Sequence, residues 1–357
     1  SSHDLKNLFW IKPMNDLLNQ TEDFSDIRDA VRSLCQGYPG EYWREKDRKR
    51  EYPTEFVQAL TDSGFLAVLI PEIYGGSELG IQEAAAILEE IHKSGCNGAA
   101  CHAQMYIMGT LLRHGSEEQK KKYLPGIASG ELRLQAFGVT EPGSGTDTTS
   151  IRTFAKREGD EYVVNGQKVW TSRAEHSDLM LLLARTTPKD EVTKRTDGLS
   201  VFLVDLRKSL NHGVTIRPIS TMINHATTEV FIDDLRIPAE QRIGEEGKGF
   251  RYILDGMNAE RILIGAECIG DSRWFIQKAS EYAKDRKVFQ RPIGQNQGIQ
   301  FPIAKAYAQS EAADLMVRKA ATLFDSGKPC GKETNMAKLL AADASWEAAD
   351  VCLQTHG

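Results

Sequence analysis

The periodicity of the apolar residues predicts an α+β multidomain chain: an N-terminal helical domain, a middle antiparallel β-domain and a C-terminal helical bundle. Three observations carry this. Apolar residues recur at helical spacing before residue 130, short strand-like runs follow as far as residue 240, and long alanine-rich helical patterns return after Gly247-Lys248-Gly249. The predicted domains are 24–130, 131–240 and 241–357.

In the first domain, Ile81, Ala84, Ala85, Leu88 and Ile91 line one face of a helix bounded by Gly75-Gly76 and Gly95. Ser116-Glu117-Glu118-Gln119 has the spacing of a capping box, so a new helix starts there, and Gly130 ends it. Strands are predicted at 134–140, 153–156, 161–164, 167–172, 179–185, 199–206, 214–219 and 229–233, and Asn165-Gly166 reads as a two-residue hairpin turn. Helices are predicted at about 250–283, 297–326 and 332–355. The six alanines between Met336 and Leu353 let helices approach closely in a bundle.

With 357 residues, 41% of them hydrophobic, the chain can bury a large core, and disorder is excluded. Lys and Arg total 44 against 50 Asp and Glu, a net charge of -6 that does not favour a nucleic-acid partner. No apolar run approaches the ~20 residues that span a bilayer. Six scattered cysteines without a CxxC pair read as reduced thiols, and the eight histidines show no zinc-ligand spacing, so no metal site is expected. The expected compartment is a bacterial cytoplasm, with the mitochondrial matrix after processing as the alternative; residues 1–12 carry no signal-peptide pattern.

The densest chemical signal is the run from Phe137 to Asp147, a strand leading into a loop with Gly143, Gly145 and several hydroxyls. Such a loop either exposes backbone N–H groups to a ligand or is a hydroxyl-rich turn; it fits neither the Walker spacing nor the dinucleotide fingerprint. The second signal is Asn165 to Ser172, where a strand ends in Trp170, Thr171 and Ser172. An aromatic ring beside two hydroxyls suits a flat heterocycle, and is equally an ordinary sheet tryptophan.

At these residues the chain resembles the acyl-CoA dehydrogenase family. The likeness extends from about residue 24 to Gly357 and includes Ile70 to Gly76, Glu117 to Glu131, Asp233 to Pro238 and Arg286 to Phe289. The resemblance implies an FAD-dependent enzyme of fatty acid metabolism and β-oxidation that converts an acyl-CoA thioester to the trans-2-enoyl-CoA. It also implies a homotetramer that passes electrons to an electron-transferring flavoprotein. Phe137, Val139, Thr140, Gly145, Thr146, Trp170, Thr171 and Ser172 match flavin-binding positions, with Thr140 and Ser172 at the polar edge of the ring. Arg286, Phe289, Ile293, Gln297, Ile299 and Gln354 match positions that hold the dinucleotide half, partly across a subunit interface. Thr146, Arg261, His102 and Met257 match substrate-side positions; for His102 and Met105, simple packing is the alternative.

Removing a weakly acidic α-proton requires a positioned base, and a carboxylate desolvated beside an acyl chain gains the necessary proton affinity. The resemblance to the isovaleryl and long-chain types places that base at Glu260, before Arg261; on residue type alone Glu260 is a surface glutamate. Most other members carry the base in a segment after a Gly-Gly pair whose first glycine matches Gly357. The sequence departs from the family at Gln290, where glycine is usual, and at 222–228, which lacks the Gly-x-Arg-x-Ser pattern. The weighed alternatives are an acyl-CoA oxidase that uses oxygen and a non-catalytic, DNA-associated member of the same fold.

Overall fold

The computed structural model describes residues 24–357. Its first domain is helical: α1 (Ser25–Cys35), α2 (Gly40–Lys49), α3 (Thr54–Asp62), α4 (Ile81–Lys93), α5 (Ala99–His114) and α6 (Glu117–Ser129). The predicted face of α4 is buried throughout, because its apolar residues share one side of the helix. The predicted capping box starts α6: Gln119 N–H donates to Ser116 Oγ at 3.1 Å, and Ser116 N–H donates to Gln119 Oε1 at 2.9 Å. The Gln119 amide also donates to the carbonyls of Glu240 and Arg242 at 2.7 and 2.9 Å, so the same cap ties this domain to the next.

The middle domain is an eight-stranded sheet of β1 (Leu134–Gly138), β2 (Phe154–Glu158), β3 (Glu161–Ser172), β4 (Leu179–Arg185), β5 (Leu199–Asp205), β6 (Val214–Pro218), β7 (Thr227–Pro238) and β8 (Arg242–Ile243). The spatial order is β6-β7-β3-β2-β4-β5-β8, with β1 beside β4. The long ladders are antiparallel, but β1 runs parallel to β4 and one β2–β4 pair is also parallel, so the sheet is mixed where an antiparallel one is predicted. A one-turn helix, α7 (Leu206–Ser209), follows β5. Strand β4 is buried on both faces: Leu179, Leu181 and Leu183 join the core shared with the helices, while Met180, Leu182 and Ala184 fill a second core on the opposite face.

The hairpin predicted at Asn165-Gly166 is absent. Strand β3 runs through both residues with a bulge, and the turn lies at Gly159-Asp160, where Gly159 has φ 59°. Gly166 serves another purpose: a Cβ there would come within 2.7 Å of Thr153 Cα, so glycine is required by the close approach of two strands.

The third domain consists of α8 (Gly249–Asp285), α9 (Gln297–Asp325) and α10 (Gly331–His356), with a small ribbon, β9 (Lys287–Val288) and β10 (Arg291–Pro292), after α8. Helix α8 packs against α10, α4 and α5, which makes it the axis of the molecule. The Asp325 carboxylate at the end of α9 accepts from the N–H groups of Ile81 and Gln82 at 2.7 and 3.1 Å. It thereby caps α4 and complements its dipole from another domain. Arg32 pairs with Glu90 at 2.8 Å, and Arg28 and Arg273 both pair with Glu89, which links α1, α4 and α8. All six cysteines are free thiols, and no described helix is long and apolar enough to cross a membrane.

Candidate active site

Two stretches that are separate in the sequence meet at the end of β3. Val169 N–H donates to Thr140 O at 2.9 Å, placing the loop after β1 beside the last turn of the Trp170–Ser172 segment. Beneath them lies a charge pair to which the sequence reading gave no role. Lys168 is fully buried, and its ammonium donates to Glu141 Oε1 and Val139 O, both at 2.9 Å. Glu141 also accepts from the N–H groups of Arg152 and Thr153 at 2.6 and 2.9 Å. Each member of the pair thus meets its partner and at least one backbone group, which offsets the burial of two charges. Burial drives the Lys168 ammonium down to about 8; burial opposes ionisation of Glu141 too, but Lys168 and the backbone donors hold that carboxyl below its usual range.

Above this anchor the backbone breaks its extended course. Trp170 and Arg173 both have left-handed φ values, 60° and 61°, and the register shifts between Lys168 and Thr171. Such conformations in non-glycine residues cost about 1–3 kcal/mol each and cluster at functional sites. Here they turn the two side chains in opposite directions: Trp170 is 60% exposed, while Arg173 is only 8% exposed. Thr171 Oγ1 is buried without a partner, and Ser172 Oγ accepts only a long bond from Asn224, 3.3 Å. An exposed ring flanked by loosely held hydroxyls fits a flat heterocycle with polar edges. Gly143 and Gly145 face open space, and Thr146 is exposed in the same loop.

The other wall is built by α5 and α8. Glu260 and Glu267 lie seven residues apart, on one face of α8. Glu267 is buried and accepts from His102 Nδ1 of α5 at 2.6 Å; His92 Nε2 lies 3.7 Å from the same oxygen, and His92 Nδ1 is 2.9 Å from Asp271. Burial opposes ionisation of Glu267, yet His102 and His92 hold its carboxyl below the usual range. Burial likewise opposes ionisation of His92, but its two carboxylates raise it to about 9. Glu260 differs. It makes no hydrogen bond or ion pair among the described residues, and burial raises it above the ordinary carboxylate range although His102, Arg261 and Arg173 pull the other way.

His102 is therefore more than a packing residue, and Tyr106 on the same helix meets Phe137 of β1 edge-on at 6.1 Å. Val139 is buried and Met257 is half-buried against the main core. Arg286 and Phe289 occupy the exposed turn after α8, Ile293 and Ile299 are half-buried nearby, and Gln297 and Gln354 are exposed. Gln290, which stands where the family has glycine, has φ 63°, in the region that glycine occupies without strain. Sequence reasoning missed Glu267, His92, Lys168, Glu141 and Arg173. Glu267 meets His102 across 165 residues, so the contact carries no local signal.

A helical domain, a mixed sheet and a helical bundle thus converge on an exposed aromatic ring and a carboxyl without a partner among the described residues. Family models for the acyl-CoA dehydrogenase N-terminal, middle and C-terminal domains match residues 21–131, 136–235 and 247–357. The chain is 35% identical over 343 residues to acyl-CoA dehydrogenase FadE12 of Mycobacterium tuberculosis, covering 95% of this chain and 87% of that one. Among solved structures it is similar to butyryl-CoA dehydrogenase from Megasphaera elsdenii (TM-score 0.87, 28% identity, 94% and 88% coverage) and to the FAD complex of PigA (TM-score 0.87, 26% identity, 94% and 88% coverage). The chain belongs to the acyl-CoA dehydrogenase family and is an FAD-dependent oxidoreductase.

Proposed function

We propose that this protein removes the α-proton and a β-hydride from an acyl-CoA thioester to give the trans-2-enoyl-CoA, with Glu260 as the base. The observation that carries this is the unpartnered, desolvated carboxyl of Glu260 on the face of α8 that also presents Glu267 to His102. FAD bound against Trp170 supplies the two-electron acceptor for the β-hydride. Thr140 and Ser172 would hold its polar edge, and Phe137, Val139, Gly145, Thr146 and Thr171 would form the adjoining wall. The chain's own part in the reaction is to take the α-proton onto a Glu260 carboxylate oxygen and to balance the charge with Arg261 and His102. Thr146 contacts the CoA moiety, and Met257 and His102 border the acyl group.

Arg286, Phe289, Ile293, Gln297, Ile299 and Gln354 hold the nucleotide half of FAD in a homotetramer, where an exposed turn such as that of Phe289 gains a partner. Electrons then pass to an electron-transferring flavoprotein, a role in bacterial β-oxidation. Anaerobic bleaching of the bound flavin by a panel of acyl-CoAs tests the reading, with Glu260→Gln as the control. Bleaching that depends on Glu260 supports both reaction and base. Equal bleaching by the variant moves the base elsewhere, and rapid reoxidation by oxygen turns the reading toward an oxidase.

A further inference from the structure

Arg173 is the residue whose burial nothing in the chain explains. Its guanidinium carries a permanent charge, it is 8% exposed, and among the described residues its side chain makes no hydrogen bond or ion pair; Nε is sealed from solvent without an acceptor. A nearly buried charge without a partner is destabilising, and the left-handed backbone at φ 61° that turns it inward adds further cost. The backbone is pinned in that conformation: Arg173 N–H donates to Ala226 O at 2.8 Å, and its carbonyl accepts from His176 N–H at 3.1 Å.

The side chain borders a cavity of about 850 Å³ between the first helical domain and the sheet, with Lys46, Tyr52, His92, His176 and Asp271 among its walls. The other cationic walls are engaged: Lys46 by Glu55 and Glu51, His225 by Asp47, His92 by Asp271, and Arg50 by Ser220. The two carboxyls within electrostatic reach of Arg173 do not contact it. Glu267 is already held by His102, and Glu260 is the group whose ionisation burial opposes. The anion that would satisfy Arg173 is therefore not supplied by the described chain, while the space beside it is open and adjoins α5 at Ala99 and Ala100, one turn before His102.

We propose that Arg173 binds an anionic oxygen group on the acyl part of the substrate, so that the preferred thioester carries a carboxylate remote from the carbons that react. A guanidinium presents a fork of N–H donors that matches a carboxylate and holds it in one orientation, a geometry that a lysine ammonium cannot reproduce. The discrimination also works by rejection: a neutral acyl chain in the same place leaves the buried charge unpaired. This rests on the acyl-CoA reading above, and the test separates the two.

The holoenzyme, its Arg173→Gln and its Arg173→Lys variants are compared on ω-carboxyacyl-CoAs from succinyl- to suberyl-CoA and on neutral acyl-CoAs of equal length. Both anaerobic flavin reduction and the dissociation constant are measured. In the wild type the carboxylated series is preferred. Arg173→Gln loses about 30- to 1000-fold more in affinity or kcat/KM on that series than on the neutral one of equal length, the range for breaking a buried charge pair; Arg173→Lys falls between. A wild type that favours neutral chains, or an equal fall on both series, overturns the proposal. If no thioester bleaches the flavin, the acyl-CoA dehydrogenase reading fails, and the binding constants alone still decide the role of Arg173. If Arg173→Gln does not retain FAD, the ratio between the two series in Arg173→Lys decides it.

Discussion

Two groups of buried charges include residues only five positions apart, Lys168 in β3 and Arg173 just after it, and they are built on opposite rules. Lys168 and Glu141 form a closed pair in which each partner is met by the other and by backbone groups. Glu260 and Arg173 belong to an open cluster: both are desolvated, each is within electrostatic reach of the other, and neither has a contact partner among the described residues. A closed pair recovers its desolvation cost within the fold and so reads as architecture, here as the anchor that fixes the loop of Thr140 under the Trp170 segment. An open cluster leaves that cost standing until something else arrives, and so reads as a binding and reaction site.

The largest expected effect falls on the open cluster. Glu260→Gln lowers the rate of flavin reduction by about 100- to 10,000-fold, the range for loss of a general base, while FAD content is unchanged. The same change stabilises the protein. A carboxyl whose folded pKa is raised contributes stability that is full below its unfolded pKa and is lost as pH rises through the folded value. The glutamine variant therefore gains over the wild type as pH rises through that window, which unfolding curves at acid and neutral pH measure. A variant that lost both rate and stability would place Glu260 in the closed class.

The closed pair responds in the opposite sense. Lys168→Met or Glu141→Gln alone strands a buried partner and costs about 3–5 kcal/mol in chemical unfolding. The double variant costs less than the sum of the singles, because the stranded charge is gone. Additive losses would show that the pair is not coupled. Flavin binding weakens in the singles because the loop at Val139 and Thr140 loses its anchor.

A subtler test concerns the link between the open cluster and its neighbours. The rate of flavin reduction should rise with pH through a limb above the ordinary carboxylate range, as Glu260 ionises. Around that carboxyl stand His102 and Tyr106 from α5, Arg261 and Glu267 from α8, and Arg173 from the end of β3. His102 is among the groups that favour the ionised form, so His102→Gln moves the limb to higher pH. A merely structural histidine would change the plateau and leave the limb in place.

What the sequence revealed and what it hid divide along the same line. The face of α4, the Ser116 box and the strand at 179–185 follow from local sequence and are found where the residues predict them. The roles proposed for Glu260, Trp170 and Ser172 come from motifs. The turn expected at Asn165-Gly166 failed because a glycine that permits close approach of Thr153 has the same local signature as one that permits a turn. The Glu267–His102 and Lys168–Glu141 contacts span 165 and 27 residues, so no local rule marks them. Arg173 escaped because a charged residue after a strand reads as a surface group until its burial is seen.

The smallest effect supplies the control. Ser116 and Gln119 form a closed polar network far simpler than the buried pair, yet satisfied by the same logic. Ser116→Ala removes the side-chain acceptor of the Gln119 N–H at a helix start, so it costs about 1 kcal/mol of stability. Gln119→Ala removes more, since the carbonyls of Glu240 and Arg242 lose their donor as well. Both variants should keep the wild-type rate and pH limb, because neither residue touches α5, α8 or the end of β3 by a hydrogen bond. A changed limb in Ser116→Ala would mean that the seam between the first two domains tunes the base, and the division between closed and open groups would have to be drawn elsewhere.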